Sequence, residues 1–326
     1  MKAFKHLNAT SVEEAIELIR AGNGRACLIA GGTDLLGILK DEVLPDYPEA
    51  VINIKTISGL DEIEENEKGL KIGALTKLVD LVAHPLVRER FPILSQAAQA
   101  VATPEIRNMA TLGGNLCQDT RCWYYRYPHH VGGRIMCHRK GKGPCQAIKG
   151  DNRYHAIMGA KKCFAVCPSD TAIALSALDA GLEIAGSQGV RRVSINEFFT
   201  NMGNALEADE LLTGIQLPNP AAGARQAFFK FTVRKPVDFA IASVAAVGIL
   251  HKGICQEVKI ALGAVAPTSL RAVEAEELIR GKALGEKIIK DAARAAVKQA
   301  KPMRMNAYKV EITRTLVERA LRAILQ

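Results

Sequence analysis

The stretch LIAGGTDLLG, residues 28–37, places a glycine pair directly after one apolar run and before another. A short apolar run closed by Gly-Gly-Thr-Asp reads as a buried strand ending in a tight turn. Paired glycines let backbone N–H groups come close to an oxyanion, and a threonine side chain adds a hydrogen bond. A second stretch, VATPEIRNMATLGGNLC at residues 101–117, carries Thr111-Leu112-Gly113-Gly114-Asn115. Either turn alone is also what an ordinary strand end requires. Two in one chain point toward a phosphate-bearing ligand. Neither is a G-x-G-x-x-G or a Walker A sequence, so a Rossmann or P-loop site is not supported.

Outward from these turns, TSVEEAIELIRAGNG (10–24) predicts a helix. Ser11 and Glu14 have capping-box spacing, Val12, Ala15, Ile16 and Leu18 or Ile19 form an apolar stripe, and Gly22 and Gly24 stop it. Strands are expected at 25–30, 50–54 and 70–75, and helices at 77–83 and 91–102. Beyond residue 168, SDTAIALSALDA predicts a helix with Ser169 or Asp170 as N-cap. Strands follow at 181–186 and 211–218, then a Pro/Gly linker, PNPAAG (218–223). Three further strands, within 227–234, 239–250 and 255–265, read as a meander, with two or three helices from about 269. Strands and helices are both interleaved and segregated, so the fold class is α+β. The expected division is 1–222, itself split near 55, and 223–326.

A chain of 326 residues, 48% hydrophobic and 24% charged, has a globular composition and length for more than one core. The amino terminus lacks the apolar core of a signal peptide, and no apolar run reaches bilayer-spanning length, so a cytoplasmic protein without a membrane segment is expected. The formal charge is +9, and residues 121–162 alone hold ten Lys or Arg and one acid. The whole excess therefore lies in one segment, unlike the basic stripes of a nucleic-acid-binding surface. That segment is also where cysteine concentrates: six of the chain's eight lie between 116 and 168.

Taken together, LIAGGTDLLG, VATPEIRNMATLGGNLC, CPSDTAIALSALDA, DELLTGIQLP, AFFKF, KIALGAVAPTSLRA and YKVEITRTLVERAL resemble the FAD-binding medium subunit of the molybdenum hydroxylases, the xanthine dehydrogenase and carbon monoxide dehydrogenase family. The resemblance runs through the whole chain in order. It implies a two-subdomain FAD-binding fold followed by a C-terminal α+β flavoprotein domain. It also implies FAD held by Leu28, Ile29, Ala30, Gly31, Gly32, Thr33, Asp34 and Leu35 on one side. Val101, Thr111, Gly113, Gly114 and Asn115 would hold it on another. Asp170 in PSD matches an acid near the flavin, and Leu212 and Lys230 match contacts from the far side.

The family joins GGN to PSD by a short connection, whereas here residues 116–168 intervene. Disulfides suit an oxidising compartment, and a structural zinc site usually shows close C-x2-C pairs, which are absent. An iron–sulfur cluster needs only four thiolates converging in space, and basic residues nearby offset its negative charge. GNLCQDTRC resembles the insertion of the 4-hydroxybenzoyl-CoA reductase flavin subunit, which implies a [4Fe–4S] cluster on Cys122, Cys137 and Cys145. The fourth ligand is ranked Cys163, then Cys167, then His155, and Cys117 is expected to be a buried thiol. Trp123, Tyr124, Tyr125 and Tyr127 are expected to pack this irregular segment.

The function so implied is electron transfer between an external carrier and partner subunits, a molybdopterin-binding large subunit and a [2Fe–2S] small subunit. The localised positive charge suits an acidic redox protein such as a ferredoxin. The alternative is a zinc-stabilised flavin-like protein that uses the basic segment to bind nucleic acid or another protein.

Overall fold

The structure, a computed structural model, describes residues 1–235 and 237–325. Its first sheet is parallel, with β1 (Lys5–Asn8), β2 (Ala26–Ile29) and β3 (Ala50–Asn53) in the order β1-β3-β2. Parallel strands need a crossover, and the helix Val12–Ala21 connects β1 to β2. Ser11 Oγ accepts from the Glu14 amide at 3.1 Å, as the capping spacing predicts. The Glu14 carboxylate reaches back to the Thr10 amide, 2.7 Å away, one residue earlier than a standard capping box. Ala15, Ile16 and Ile19 bury this helix against Ile52.

The second sheet is antiparallel. It contains β4 (Ile63–Asn66), β5 (Gly69–Gly73), β6 (Gly181–Gly186) and β7 (Gly189–Ser194), joined after a small hairpin of β8 (Phe199–Thr200) and β9 (Gly203–Asn204) by β10 (Leu211–Pro218). Its order is β4-β5-β10-β6-β7, so β10 pairs with strands from both sides of the cysteine segment. The third sheet is a sequential antiparallel meander of β11 (Arg225–Phe231), β12 (Ala242–His251), β13 (Ile254–Gly263) and β14 (Leu270–Arg271). Helices Val273–Ile279, Glu286–Ala296 and Tyr308–Ala323 cover it, placing Ala293 and Val317 against Val244 and Ile260.

Between the second and third sheets lies the helix Asp170–Ala177, every residue of which is buried. An all-round buried helix needs no amphipathic stripe. Ile173 and Leu175 share one core with Leu182 and Ile215 of the second sheet and Ala245 and Ala261 of the third. Its N-cap is Ser169, whose Oγ accepts from the Ala172 amide at 3.1 Å.

Three expected elements end differently. The helix expected over 91–102 is Pro92–Gln99, because Ala102 takes a φ of +44° and Pro104 opens a new helix, Pro104–Met109. The strand expected from 239 starts at Ala242, leaving Phe239 in a loop at 47% exposure. The second glycine turn is the first turn of a helix, Leu112–Cys117, capped by Thr111. Among the described residues, no helix is long and apolar enough to cross a membrane.

Candidate functional site

The first glycine turn follows β2 and lines a cavity of about 400 Å³. Thr111, Gly113, Gly114 and Leu212 form the opposite wall. A second cavity of about 220 Å³ adjoins it along Thr33, Asp34, Gly114 and Gln118, and is lined by Val101, Asn115, Asp170 and Lys230. All of the expected flavin-site positions, Leu28 to Leu35 included, border one cavity or the other. The residues that sequence reasoning missed are Gln118, Arg121 and Phe239, which border the second cavity. Arg121 stacks on the Phe239 ring, 4.7 Å from its centroid. Burial, together with the nearby Arg126, lowers the Arg121 guanidinium to about 10, against the pull of Asp34.

The two glycine turns differ in what their amides are free to do. Among the described residues, the amides of Gly31, Gly32, Thr33 and Asp34 donate to no backbone carbonyl. Those of Leu112 and Gly113 donate to the Thr76 and Ala74 carbonyls at 2.8 Å, and that of Gly114 to Thr111 Oγ1 at 3.1 Å. Of the two turns expected to offer amides to a phosphate, the second has its Leu112, Gly113 and Gly114 amides already engaged. The second is a wall, sewn to residues 74–76. Gly31 has its own reason to be glycine, since a Cβ there would lie 2.0 Å from the Met109 carbonyl oxygen. Gly32 takes a φ of +71°, a backbone conformation that favours glycine.

At the base of the second cavity, Lys230 Nζ donates to Asp170 Oδ2 at 2.7 Å and to the Ala100 carbonyl at 2.8 Å. Both side chains are under 10% exposed, at 8% and 6%. Burial pushes the Asp170 carboxyl upward and Lys230 opposes it. Asn115 is structural as much as lining: its Oδ1 accepts from Ser169 Oγ at 2.6 Å and Thr171 Oγ1 at 2.7 Å. These bonds pin together the two ends of the long cysteine segment.

Within that segment, Cys122, Cys137, Cys145 and Cys163 line one small cavity. Cys167 and Cys117 instead border the cavities on the flavin side, and burial pushes both thiols up to about 12. His155 does not line the thiol cavity, but its Nε2 lies 3.3 Å from Cys122 Sγ. All eight cysteines are free thiols. Among the described residues, no group of three or more His, Cys, Asp or Glu is set to hold a metal ion. Four thiols are a donor set for an inorganic cluster as for a single zinc, and the space open between them is about 20 Å³, so their side chains would turn outward around a cluster.

Two cationic side chains of the segment are drawn inward. Arg139 Nε donates to Cys163 Sγ at 3.4 Å, and Lys140 is 5% exposed with no hydrogen-bond partner for its Nζ among the described residues. A buried ammonium without an anion is costly. The flavin-side turn and the thiol site are also wired together. Asp34 accepts from Arg126 at 2.7 Å, Arg121 at 2.9 Å and the Asp119 amide at 2.8 Å. Asp119 in turn faces Arg139 at 3.4 Å. Four of the ten basic residues of the segment thus turn inward, while Lys142, Lys149, Arg153, Lys161 and Lys162 stay exposed. Trp123 packs edge-on against Tyr154 at 5.6 Å and His155 at 5.8 Å, as a packing role requires. With Phe239 it walls a cavity of about 410 Å³ that touches both Asp170 and Cys122.

A parallel α/β unit, an antiparallel sheet and a capping α+β unit around an open glycine turn define a flavoprotein of the FAD-binding type. Residues 2–220 match the family described as the FAD binding domain in molybdopterin dehydrogenase, and residues 227–324 match the CO dehydrogenase flavoprotein C-terminal domain. The chain belongs to the FAD-binding flavoprotein subunits of the molybdenum hydroxylase oxidoreductases. It is 36% identical to the FAD-binding subunit of an Escherichia coli aldehyde oxidoreductase, over 85% of this chain and 86% of that one. It is 30% identical to the carbon monoxide dehydrogenase medium chain of Hydrogenophaga pseudoflava, over 98% and 96% of the two chains. A solved chain of carbon monoxide dehydrogenase from that organism superimposes with a TM-score of 0.80 at 29% identity, covering 99% of this chain and 97% of that one.

Proposed function

We propose that this subunit holds FAD in the paired cavities and a [4Fe–4S] cluster in an inserted loop, and passes electrons between an external carrier and partner subunits. The observation that carries the reading is the meeting of Cys122, Cys137, Cys145 and Cys163 on one cavity, joined through Arg139, Asp119 and Asp34 to the flavin-side turn. When bound, FAD supplies two-electron uptake and the cluster single-electron steps.

The chain's own residues have separable tasks. The open amides of Gly31 to Asp34 would hold the pyrophosphate, with Leu28, Ile29, Ala30 and Leu35 behind them. Thr111, Gly113, Gly114 and Leu212 would close the facing wall. Val101, Asn115, Asp170 and Lys230 would border the ring system, and the Asp170–Lys230 pair keeps a fixed, water-poor polar floor there. Cys163 is assigned as the fourth cluster ligand, ahead of Cys167, because it shares the cavity of the other three. In this reading residues 1–222 are the FAD-binding domain, with subdomains meeting near 55 and the cluster loop at 116–168, and residues 223–326 are the C-terminal domain.

The insertion is taken as one of the 4-hydroxybenzoyl-CoA reductase type. The partners are a molybdopterin-binding large subunit and a [2Fe–2S] small subunit, and the five exposed basic residues offer a landing surface for an acidic carrier such as a ferredoxin. The inward turn of Arg121, Arg126, Arg139 and Lys140 takes four of the ten basic residues away from any nucleic-acid surface.

Flavin, iron and acid-labile sulfide analysis of the anaerobically purified chain tests this. One FAD with about four irons and four sulfides is expected. Cys163→Ala is expected to lose iron and Cys167→Ala to keep it. Zinc without sulfide would make the loop structural and end the cluster reading.

A further inference from the structure

We infer that Arg139, Lys140 and His155 raise the reduction potential of the thiol-bound cluster, so that electrons shared with the flavin settle on the cluster. The inference rests on the cluster reading above and goes beyond it by assigning residues that hold no iron.

Two of the three face sulfur directly, and the third is a buried cation beside Arg139 in the chain. Arg139 Nε donates directly to Cys163 Sγ at 3.4 Å, and its Nη1 is braced by the Met202 carbonyl at 3.0 Å and by Asp119. His155 is 3% exposed and places Nε2 3.3 Å from Cys122 Sγ. Its Nδ1 is buried without a partner among the described residues, so the sulfur decides the tautomer. A thiolate ligand brings no proton, and the ring nitrogen beside it must therefore carry the hydrogen and donate. Asn306 Nδ2 and Lys309 Nζ hold the His155 backbone carbonyl at 3.1 and 3.0 Å, and the ring packs against Trp123, 5.8 Å between centroids. Lys140 is the third. Its ammonium is buried, lies over the Tyr125 ring at 5.3 Å and has no hydrogen-bond partner among the described residues.

Reduction adds one negative charge to an already anionic cluster inside low-dielectric protein. N–H donors to the sulfurs and buried cations stabilise the reduced state more than the oxidised one, so they raise the potential. Each transfer removes one electron from the flavin and adds one to the cluster, and no other reactant is involved. Because the three groups are buried, their influence escapes the salt screening that weakens surface charge.

Redox titration of the assembled holoenzyme, following the cluster by electron paramagnetic resonance and the flavin by absorbance, tests the inference. Iron and sulfide are counted first in every variant. With full clusters, Lys140→Met and Arg139→Gln are each expected to lower the flavin-to-cluster partition constant about tenfold, 59 mV for a one-electron couple. His155→Phe is expected to lower it and His155→Gln, which keeps an N–H donor, to restore most of it. The exposed Lys161→Met is expected to leave it unchanged. If Arg139→Gln fails to retain iron, Arg139→Lys keeps the charge, loses the Nε donor and is expected to give a smaller fall. Unchanged potentials in iron-replete variants overturn the inference while leaving the cluster reading intact. Absence of iron from the unaltered protein overturns both.

Discussion

Lys309 is fully buried, yet its ammonium donates to the carbonyls of Ala264 at 2.5 Å, His155 at 3.0 Å and Tyr154 at 3.4 Å. It is the point at which the helix Tyr308–Ala323 grips the cysteine segment. Burial lowers it from 10.5 to about 7. Between those values the unfolded chain binds a proton that the folded chain does not, so stability rises with pH from about 7 toward 10.5, by at most about 1.4 kcal/mol per pH unit. Below about 7 both states are protonated and this contribution is flat. Lys309→Met is expected to abolish the rise. It also leaves carbonyls unpaired, at a cost of about 1–3 kcal/mol at neutral pH. Urea titrations of both proteins from pH 6 to 10 check this through the difference between the two curves. An unchanged pH slope in the variant would remove Lys309 as the cause. Nothing in YKVEITR marks this lysine in the sequence, because a helical lysine normally faces water.

Among the elements, the two glycine turns show what local sequence can and cannot convey. Both read as turns that approach a phosphate, since Gly-Gly followed by a polar residue is a local signal. Only tertiary pairing reveals that Leu112 and Gly113 give their amides to Ala74 and Thr76. The helix Asp170–Ala177 was legible from its Ser169 cap and its length, while Phe239 fell outside its expected strand because a run of apolar residues does not mark where pairing starts. The four converging sulfurs were legible as a set only through resemblance, as their spacing carries no period. Asp34 illustrates the same limit. It reads as part of a flavin turn, and in the fold its carboxylate also clamps Arg121 and Arg126 across more than 80 residues of chain. Asp34→Ala is expected to leave two adjacent guanidiniums unpaired, destabilising the protein by about 2–3 kcal/mol. It should also speed trypsin cleavage after Arg121 and Arg126 at least tenfold. Limited proteolysis with mass analysis reads the sites directly, and an unchanged cleavage rate would show that the clamp does not hold the segment.

At the scale of the whole molecule, the net +9 is confined to one segment, and folding divides that charge in two. One part is drawn inside, to Asp34, Asp119 and the thiols. The other, Lys142, Lys149, Arg153, Lys161 and Lys162, remains on the surface, although Arg153 is paired with Asp151 at 2.7 Å. The sequence located the charge but could not divide it, because inward and outward lysines are written alike. The division has a kinetic consequence. Under the cluster reading, buried charge would act on the thiol site at any ionic strength, whereas exposed charge would steer an acidic carrier only where the screening length, about 10 Å at 0.1 M salt, permits it. Reversing two exposed charges, Lys161→Glu with Lys162→Glu, is therefore expected to slow electron exchange with an acidic ferredoxin about tenfold at low salt. The difference should shrink as salt rises, and the cluster potential should not move. Stopped-flow rates with a ferredoxin across ionic strengths from 10 to 500 mM measure it. If both proteins exchange at one rate throughout that range, the exposed charge does not form the landing surface, and the carrier docks elsewhere on the assembled complex.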